Sequence, residues 1–342
     1  MTKKTDTPAI RFKGFTDTWE QRKLGEVGET YTGLSGKSKD DFGHGSGKFI
    51  AYMNVFSNPV ASPNMTEAIE IDDSQNKVRF GDVLFTTSSE TPDEVGMSSV
   101  WLENAENTYL NSFCFGYRPT AEFNPYYLAY MLRSSSMRKK ITFLAQGISR
   151  YNISKNKMMD IEMPIPSIDE QKQIGEYFAN LDNLITLHQR KYEKLHNIKK
   201  SMLEKMFPKN GSNVPEIRFK GFTEAWEQRK LGTLSSLITK GTTPKDKSGN
   251  GEVNFIKVEN INSDNGEITS MSKISIEEHE GYLKRSKLEK NDIVFSIAGT
   301  LGRVSVVKSS ILPANTNQAL AIIRVKEGYI PFLTTVLKGP TV

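Results

Sequence analysis

The chain contains an internal repeat whose two copies begin almost identically. Residues 8–25 read PAIRFKGFTDTWEQRKLG and residues 215–232 read PEIRFKGFTEAWEQRKLG, so fifteen of eighteen positions are identical at an offset of 207. The match continues more weakly as GDVLF at 81–85 and NDIVF at 291–295. Self-similarity of this kind means that one structural unit is used twice. We therefore predict two related domains with the same order of elements.

The two halves diverge strongly between these matching stretches. NSFCFGYR at 111–118 still aligns with NQALAIIR at 317–324, and Pro125-Tyr126 aligns with Pro331-Phe332. A shared frame that carries two different variable parts favours two modules that recognise different things. Duplication followed by drift, with one half merely structural, is the alternative.

A long helix with a heptad pattern is predicted between the two halves. Residues 169–206 contain no proline, and Asp169 and Glu170 suit the positive end of the helix dipole. Apolar residues recur at alternating steps of four and three, which is the pattern of a coiled coil. An amphipathic helix lying on its own domain is the alternative. The predicted coiled-coil seam consists of Ile174, Phe178, Leu181, Ile185, His188, Tyr192, Leu195, Met202 and Met206.

These features define the expected fold class and its boundaries. The fold class is α+β, with two related mixed α/β domains joined by a long coiled-coil helix. The first repeat unit is 207 residues long and the second only 128, so we expect the second repeat to be incomplete, without its C-terminal part and following helix. The predicted segments are the first domain at 1–168, the spacer helix at 169–207, a linker and repeat start at 208–232, and the second domain at 233–342.

Composition excludes several classes of protein. The single cysteine, Cys114, excludes a disulfide framework and a zinc site built on paired cysteines. No apolar run approaches the roughly 20 residues of a membrane-spanning helix. Residues 1–10 lack the apolar core of a secretory signal. We therefore expect a cytoplasmic protein that does not contact a membrane.

Basic residues are concentrated at the end of the first repeat unit. Residues 133–157 contain seven basic side chains and no acidic one, although the whole chain has a net charge of only +5. Such a patch can neutralise phosphates, and polar residues beside it can read base edges. A solvated face with its counter-charges elsewhere is the alternative. The candidate DNA-binding residues of the first half are Lys37, Lys39, Arg138, Lys139, Lys140, Ser149, Arg150, Tyr151, Lys155 and Lys157.

Two short polar loops carry the corresponding candidates in the second half. Residues 239–245 read TKGTTPK and occupy the position of TGLSGKSK at 32–39 in the first half. Residues 296–303 form a glycine-punctuated turn that ends in a basic residue. The candidate DNA-binding residues here are Lys240, Thr242, Thr243, Lys245 and Arg303.

The common enzyme signatures are not fulfilled. Residues 43–48 (GHGSGK) fail both the P-loop and the dinucleotide-binding template, and we interpret them as a turn. Asn124-Pro125-Tyr126-Tyr127 has a tyrosine where the Asn-Pro-Pro-Tyr motif of adenine methyltransferases requires proline, so we interpret it as a helix start capped by Asn124. The four histidines show no metal-ligand spacing. We predict no catalytic residue and no metal site.

The chain resembles the specificity (S, HsdS) subunit of type I restriction–modification systems. The resemblance rests on WEQRKLG at the start of each half and on NDIVFSIAGTLGR followed by NTNQALAIIR. Its most specific part is GISRYNISKNKMMDIEMPIPSIDEQKQI at 147–174. The similarity extends from about residue 10 to residue 337, and the shorter second repeat is typical of a truncated or split subunit.

The resemblance implies a function and a set of partners. Each half would be a target recognition domain that reads one half of a bipartite double-stranded DNA sequence. The helix would set the spacing and dock two modification (methyltransferase) subunits, and a restriction motor subunit would complete the complex. The chain itself would be non-catalytic and bind no cofactor, since S-adenosylmethionine, ATP and Mg²⁺ belong to the partner subunits. A second copy or a fragment that completes the coiled coil is a further expected partner.

Alternatives from other classes remain open on the sequence alone. One is a homodimeric coiled-coil scaffold, or a non-specific DNA-binding protein, without restriction–modification activity. Another is an enzyme with its own methyltransferase activity, against which the missing cofactor and Asn-Pro-Pro-Tyr motifs argue.

Overall fold

The structure, a computed structural model, describes residues 8–209, 211–246 and 248–339. The chain divides into two compact units, Met1–Gln189 and Arg190–Val342, and the division falls inside one long helix. Each unit contains one copy of the repeat start, residues 8–25 in the first and residues 215–232 in the second.

The first unit contains eleven strands and five helices among its described residues. The strands are β1 (Glu20–Lys23), β2 (Gly28–Thr32), β3 (Phe42–Ile50), β4 (Thr66–Ile69), β5 (Val83–Thr86), β6 (Ser88–Ser89), β7 (Ser98–Val100), β8 (Thr108–Leu110), β9 (Cys114–Pro119), β10 (Tyr151–Asn152) and β11 (Glu162–Ile165). The helices are α1 (Tyr52–Ser57), α2 (Pro125–Met131), α3 (Ser135–Thr142), α4 (Lys155–Met159) and α5 (Ile168–Lys205), which runs on into the second unit.

Two sheets form the frame of the first unit. The larger one is antiparallel with the strand order β2-β9-β5-β7. The smaller one has the order β4-β3-β8, and its strands β3 and β8 are parallel. Two further strand pairs, β1-β11 and β6-β10, form separate two-stranded sheets.

The second unit repeats this topology. Its elements are α6 (Leu231–Leu234), β12 (Ser235–Lys240), β13 (Val253–Ile256), β14 (Ser272–Ile274), α7 (Ile276–Glu280), β15 (Ile293–Ser296), β16 (Val304–Val306), β17 (Ala314–Thr316), β18 (Leu320–Val325) and α8 (Ile330–Leu337). The larger sheet has the order β12-β18-β15-β16, and the smaller one, β14-β13-β17, again contains one parallel pair, β13 with β17. The predicted α+β fold with two related domains is therefore confirmed.

The core of each unit lies against the central strands of its larger sheet. Every residue of β5 is buried, because both faces of this strand are covered: Val83 and Phe85 lie in one apolar cluster and Leu84 lies in another. Phe85 of β5 stacks on Phe115 of β9 with ring centroids 5.2 Å apart. In the second unit, Val294 of β15 and Ile322 of β18 lie opposite each other and are buried in the core.

The long helix and one helix start agree with the sequence expectations. The predicted helix 169–206 is observed as α5, which begins at Ile168 and ends at Lys205. Asn124 caps α2, because its side chain accepts a hydrogen bond from the Tyr127 amide, and Pro125 occupies the first helical position. The residues of the seam from Leu181 to Leu195 are exposed.

The interpretation of residues 43–48 as a turn is wrong. These residues belong to β3, which pairs with β4 through a bulge between Phe42 and Gly47. Gly43 and Gly45 have φ values of 85° and 90°, which only glycine adopts readily, so the glycines serve a distorted strand.

Candidate nucleic-acid interface

In both units, the loop that follows the first strand of the larger sheet, β2 or β12, begins with a glycine packed closely against a backbone carbonyl group. A Cβ atom on Gly33 would lie 2.2 Å from the Asn111 carbonyl oxygen, and one on Gly241 would lie 2.1 Å from the Asn317 carbonyl oxygen. In each unit the amide of the residue after the glycine donates to a backbone carbonyl oxygen of the neighbouring strand. Leu34 donates to Leu110 at 2.8 Å, and Thr242 donates to Thr316 at 2.9 Å. The two variable loops therefore start from equivalent positions.

The turn opposite each loop is also built in the same way. The Asn111 side chain accepts a hydrogen bond from the Phe113 amide, and the Asn317 side chain accepts one from the Ala319 amide. The tips of the two turns differ: the first carries Ser112 and an exposed Phe113, where the second carries an exposed Gln318 and a half-buried Ala319. A common frame thus carries different side chains at the same place.

In the first unit, residues 146–152 form a small exposed hairpin, defined here as the basic hairpin. Gln146 and Asn152 exchange two backbone hydrogen bonds of 3.0 and 2.8 Å. β10 pairs with β6, and the amide of Thr87, the residue just before β6, donates to the Phe113 carbonyl oxygen at 2.9 Å. The basic hairpin and the Phe113 turn are therefore connected through one backbone network.

Arg150 lies at the meeting point of these two loops. Its guanidinium carbon is 5.9 Å from the centre of the Phe113 ring, a cation–π arrangement. Ser149 and Ile148 of the basic hairpin are exposed, and Tyr151 is half-buried. Cationic and aromatic side chains that share one exposed surface match the needs of phosphate contact and base stacking.

Part of the basic stretch at 133–157 has structural partners. Arg138 donates to the carbonyl oxygens of Asp93, Val95 and Gly96 at 2.7 to 2.8 Å, and burial lowers the pKa of its guanidinium. Lys140 donates to the Glu162 carbonyl oxygen. These two candidates hold loops of the first unit together.

Three other candidates of this stretch point to the surface or lie near it. Lys139 and Lys157 are exposed, and Lys155 at the start of α4 is half-buried. Fewer cations of this stretch are therefore available for phosphates than the seven basic side chains counted in the sequence. Most of the available ones lie near the end of the stretch.

The two lysines of the loop at 32–39 have different surroundings. Lys37 forms an ion pair with Asp72 at 2.6 Å, which raises the pKa of the lysine and lowers the pKa of the carboxyl group. Lys39 is exposed in the short 3₁₀ turn Lys39–Asp41, which Ser38 and Asp41 close by reciprocal hydrogen bonds. Lys37 thus has an anionic partner within the unit.

In the second unit, four candidates lie on or beside a single loop. The Thr243 hydroxyl donates to the Gln318 side chain, and the Lys245 amide donates to the Glu278 carboxylate at 2.6 Å. The Lys245 ammonium lies 4.8 Å from the centre of the Tyr282 ring. Lys240 ends β12 and is exposed just before this loop.

Sequence reasoning missed three residues of this surface. Arg285 Nε lies 3.3 Å from the Thr242 hydroxyl, and Tyr282 and Gln318 contact the loop as described above. The run Tyr282-Leu283-Lys284-Arg285 places an aromatic ring beside two cations, and this pattern is the signal that identifies the surface. Arg303, in contrast, donates inward to the carbonyl oxygens of Val258 and Ile261 at 3.2 and 2.8 Å.

The described residues show no arrangement for metal chemistry or membrane insertion. In residues 8–209, 211–246 and 248–339, no group of three or more His, Cys, Asp or Glu side chains is placed to hold a metal ion. Within the same ranges, no helix combines the length and apolar character needed to cross a bilayer.

Comparison with known proteins connects the two units to one family. A family profile described as "Type I restriction modification DNA specificity domain" matches residues 16–197 and again residues 223–338. The MjaX type I restriction enzyme specificity subunit of Methanocaldococcus jannaschii is 26% identical over 250 residues, covering 69% of this chain and 57% of the relative. The StySPI specificity subunit of Salmonella potsdam is 25% identical over 220 residues, covering 64% of this chain and 47% of the relative. The chain therefore spans about half the length of these relatives.

Two solved structures share the fold. The S subunit of a type I restriction–modification system from M. genitalium has a TM-score of 0.50 and 14% identity, covering 97% of this chain and 79% of that one. A chain from a study of assembly and conformational transition in a type I restriction–modification system has a TM-score of 0.51 and 17% identity, covering 96% and 80%.

Proposed function

Because the chain belongs to the family of type I restriction–modification DNA specificity domains, we propose that it selects the DNA sequence on which such a complex acts. Each unit reads one half of a two-part duplex sequence. The observation that carries this proposal is the shared frame with two different loop surfaces, since Gly33 and Gly241 start loops whose exposed residues differ.

The proposed roles follow from the chemistry of the two surfaces. Arg150, Lys155 and Lys157 in the first unit contact phosphates, as do the exposed Lys39 and Lys139. Phosphate contacts supply affinity without sequence information, so sequence must be read by side chains that can meet base edges. The residues proposed for base edges are Ser149, Tyr151, Thr242, Thr243 and Gln318.

The second unit contacts phosphates through a smaller set of cations. Lys240, Lys245 and Arg285 surround the loop that carries Thr242 and Thr243. Arg138, Lys140 and Arg303 support loops from within, and Lys37 is neutralised by Asp72, so these residues affect DNA binding through loop position.

The chain supplies recognition, and its partners supply the chemistry. Two modification subunits carry S-adenosylmethionine, and a motor subunit uses ATP and Mg²⁺; this chain holds none of these. The central part of α5 keeps the half-sites apart and docks the modification subunits through its exposed apolar residues, such as Leu181, Ile185 and Leu195. The complex acts on DNA in the cytoplasm.

Mapping methylated bases in cells tests this function. The chain is expressed together with its modification subunits in a host that lacks other DNA methyltransferases. We expect methylation confined to one two-part motif, and we expect no such methylation when the chain is left out. The same methylation pattern with and without the chain would disprove the proposal.

The exposed seam of α5 favours a second candidate function, a homodimeric coiled-coil scaffold. Leu181, Ile185, Tyr192 and Leu195 place apolar surface in water, and a partner helix would bury it. Sedimentation of the chain with and without Leu181→Glu and Leu195→Glu tests this candidate. A monomer at micromolar concentration, unchanged by these substitutions, excludes it.

A further inference from the structure

The two carboxylates that contact the loop at 241–246 of the second unit are engaged inside that unit. Glu278 Oε1 accepts from the backbone amides of Lys245 and Asp246, at 2.6 and 3.3 Å, and Glu278 Oε2 is buried. The carboxylate of Asp246 accepts from the amide and the hydroxyl of Ser248 at 2.8 and 2.9 Å, and these bonds lower the pKa of its carboxyl group. The charged acceptors of this surface therefore serve to shape the loop.

The uncharged side chains of the same surface are arranged so that donors remain free. The Thr243 hydroxyl donates to Gln318 Oε1, which engages the acceptor of this amide and leaves the two N–H groups of its Nε2 atom. Arg285 Nε donates to the Thr242 hydroxyl oxygen at 3.3 Å, which leaves the hydroxyl hydrogen to be donated. In the part of the chain that the structure describes, neither Gln318 Nε2 nor the Thr242 hydroxyl hydrogen has an acceptor.

The turn that carries Gln318 is held from both sides. The Asn317 side chain accepts from the Ala319 amide at 3.2 Å, and the Leu320 amide donates to the Asn317 carbonyl oxygen at 3.2 Å. Gly241 packs against that same carbonyl group. Gln318 is exposed at the tip of this turn. An amide that is already oriented loses little conformational freedom when it binds a ligand, so its hydrogen bonds contribute more to affinity and selectivity.

The orientation of this amide favours one base over the others. In the major groove, adenine presents the N7 acceptor beside the N6 donor, whereas guanine presents two acceptors, N7 and O6. A glutamine usually reads adenine by donating to N7 and accepting from N6. Here Gln318 Oε1 already accepts from Thr243, so the adenine pairing lacks its acceptor. Thymine offers one acceptor, O4, and cytosine offers a donor, so guanine is the base that matches a pair of N–H donors.

We propose that Gln318 reads a guanine in the major groove, with its Nε2 group donating to O6 and N7. Thr243 is a positioning residue, because it acts through the amide oxygen of Gln318, and Thr242 adds a donor for a neighbouring acceptor. Lys240, Lys245 and Arg285 contact the flanking phosphates as described above. This inference rests on the proposed function, since it requires that the second unit meets duplex DNA.

Selection of duplexes from a random library tests the proposal by an exchange of donor for acceptor. The full chain with its modification subunits is mixed with the library at fixed salt. We expect a guanine at a constant position in one part of the enriched motif. Gln318→Glu replaces the donor by an acceptor, so cytosine should replace guanine there, because a carboxylate accepts from the cytosine N4 amino group. The matched control is Gln228→Glu, the same exchange at an exposed glutamine that contacts Asn213, and it should leave the motif unchanged.

Thr243→Val tests the positioning role. It frees Gln318 Oε1 to accept from adenine N6, so adenine and guanine should be bound within about threefold of each other, whereas wild type prefers guanine by about tenfold or more. The dependence of binding on salt should stay the same, since no cation is removed. Thr243→Ser keeps the hydroxyl group and should retain the guanine preference.

Base analogues in the selected duplex locate the contact within the groove. 7-Deazaguanine lacks the N7 acceptor and should weaken binding to the wild-type chain about fivefold. In Gln318→Ala the same base change should have little further effect, because the partner of N7 is already lost. Inosine keeps N7 and O6 and lacks only the minor-groove amino group, so it should bind as guanine does.

Separate results would overturn this inference and the proposed function. A motif that is enriched but does not change at any position with Gln318→Glu overturns this inference alone. Adenine or thymine at the responding position of the wild-type motif does so as well. Weaker binding with inosine but not with 7-deazaguanine would assign the contact to the minor groove and also overturn it. Equal recovery of all sequences by the wild-type complex would overturn the proposed function together with this inference.

Discussion

Arg118 donates two hydrogen bonds to the carboxylate of Asp82, from Nε at 2.8 Å and from Nη2 at 2.6 Å. Arg324 and Asp292 repeat this pair in the second unit, at 2.9 and 2.8 Å. Both carboxylates are buried at the start of the central strand of the larger sheet, and both arginines lie on the neighbouring strand. The ion pair is therefore part of the frame that the two units share, independent of the loops that differ.

Asp82→Asn is expected to lower the free energy of unfolding of the first unit by about 3 kcal/mol, because it leaves the Arg118 charge without its buried partner. Asp292→Asn should have a smaller effect in the second unit, because Arg324 keeps an ion pair with Glu289 at 2.5 Å. Urea denaturation followed by tryptophan fluorescence measures both effects. The matched control is Asp73→Asn, since Asp73 pairs with Lys77 on the surface and should leave the transition midpoint unchanged. Equal effects of all three variants on the free energy of unfolding would contradict the stabilising role of the two buried Asp–Arg pairs.

Gly33→Ala and Gly241→Ala are expected to destabilise their units by about 1–3 kcal/mol, because the new methyl group meets a backbone carbonyl oxygen. They should also weaken DNA binding by displacing the loop that each glycine starts. Thermal denaturation and DNA titration measure the two effects. Gly232→Ala is the control, since its Cβ would meet nothing within 4 Å. Wild-type stability of Gly33→Ala and Gly241→Ala would show that these contacts do not position the loops.

The single cysteine should be unreactive in the folded chain. Cys114 is buried, and burial raises the pKa of its thiol to about 12, so very little thiolate is present at pH 8. We expect its reaction with a disulfide reagent to be at least about 100-fold slower in the native chain than in denaturant. The denatured chain serves as the control and should release one equivalent. Rapid reaction of the native chain would contradict the burial of β9.

Arg150→Ala and Lys155→Ala should each weaken DNA binding. Each should also reduce the slope of log K against log salt concentration by about 1, the contribution of one phosphate contact. Titration of one duplex at several salt concentrations measures the slope. Lys13→Ala removes an exposed cation at the repeat start and is the control, with an unchanged slope. If either variant instead changes which sequence is preferred, that residue reads bases and its assignment to phosphate is wrong.

Most of the fold could be predicted from the sequence repeat, because two segments with the same apolar pattern form the same sheets and the same core. The α5 helix was predictable to within one residue at each end from its heptads and its acidic first turn. Charge counting was less informative about the interface. Arg138 and Arg303 look like surface cations in the sequence, yet both donate to backbone carbonyl oxygens of distant loops, which no local pattern reveals.

Contacts between distant segments explain what else the sequence could not show. Arg285 approaches Thr242 only because the chain between them folds back through the smaller sheet. The glycines at 43–48 are typical of a turn, but they lie in the bulge of β3, where Phe42 and Gly47 both pair with Ile69 of β4.

Selection of duplexes from a random library is the most direct test of the central claim, sequence recognition by two different modules. The purified chain and its modification subunits are mixed with the library at fixed salt, and the retained duplexes are sequenced. The account predicts enrichment of one two-part motif with a constant spacing, and loss of one part when the loop at 241–246 is replaced by that of another family member. Equal recovery of all sequences would contradict it.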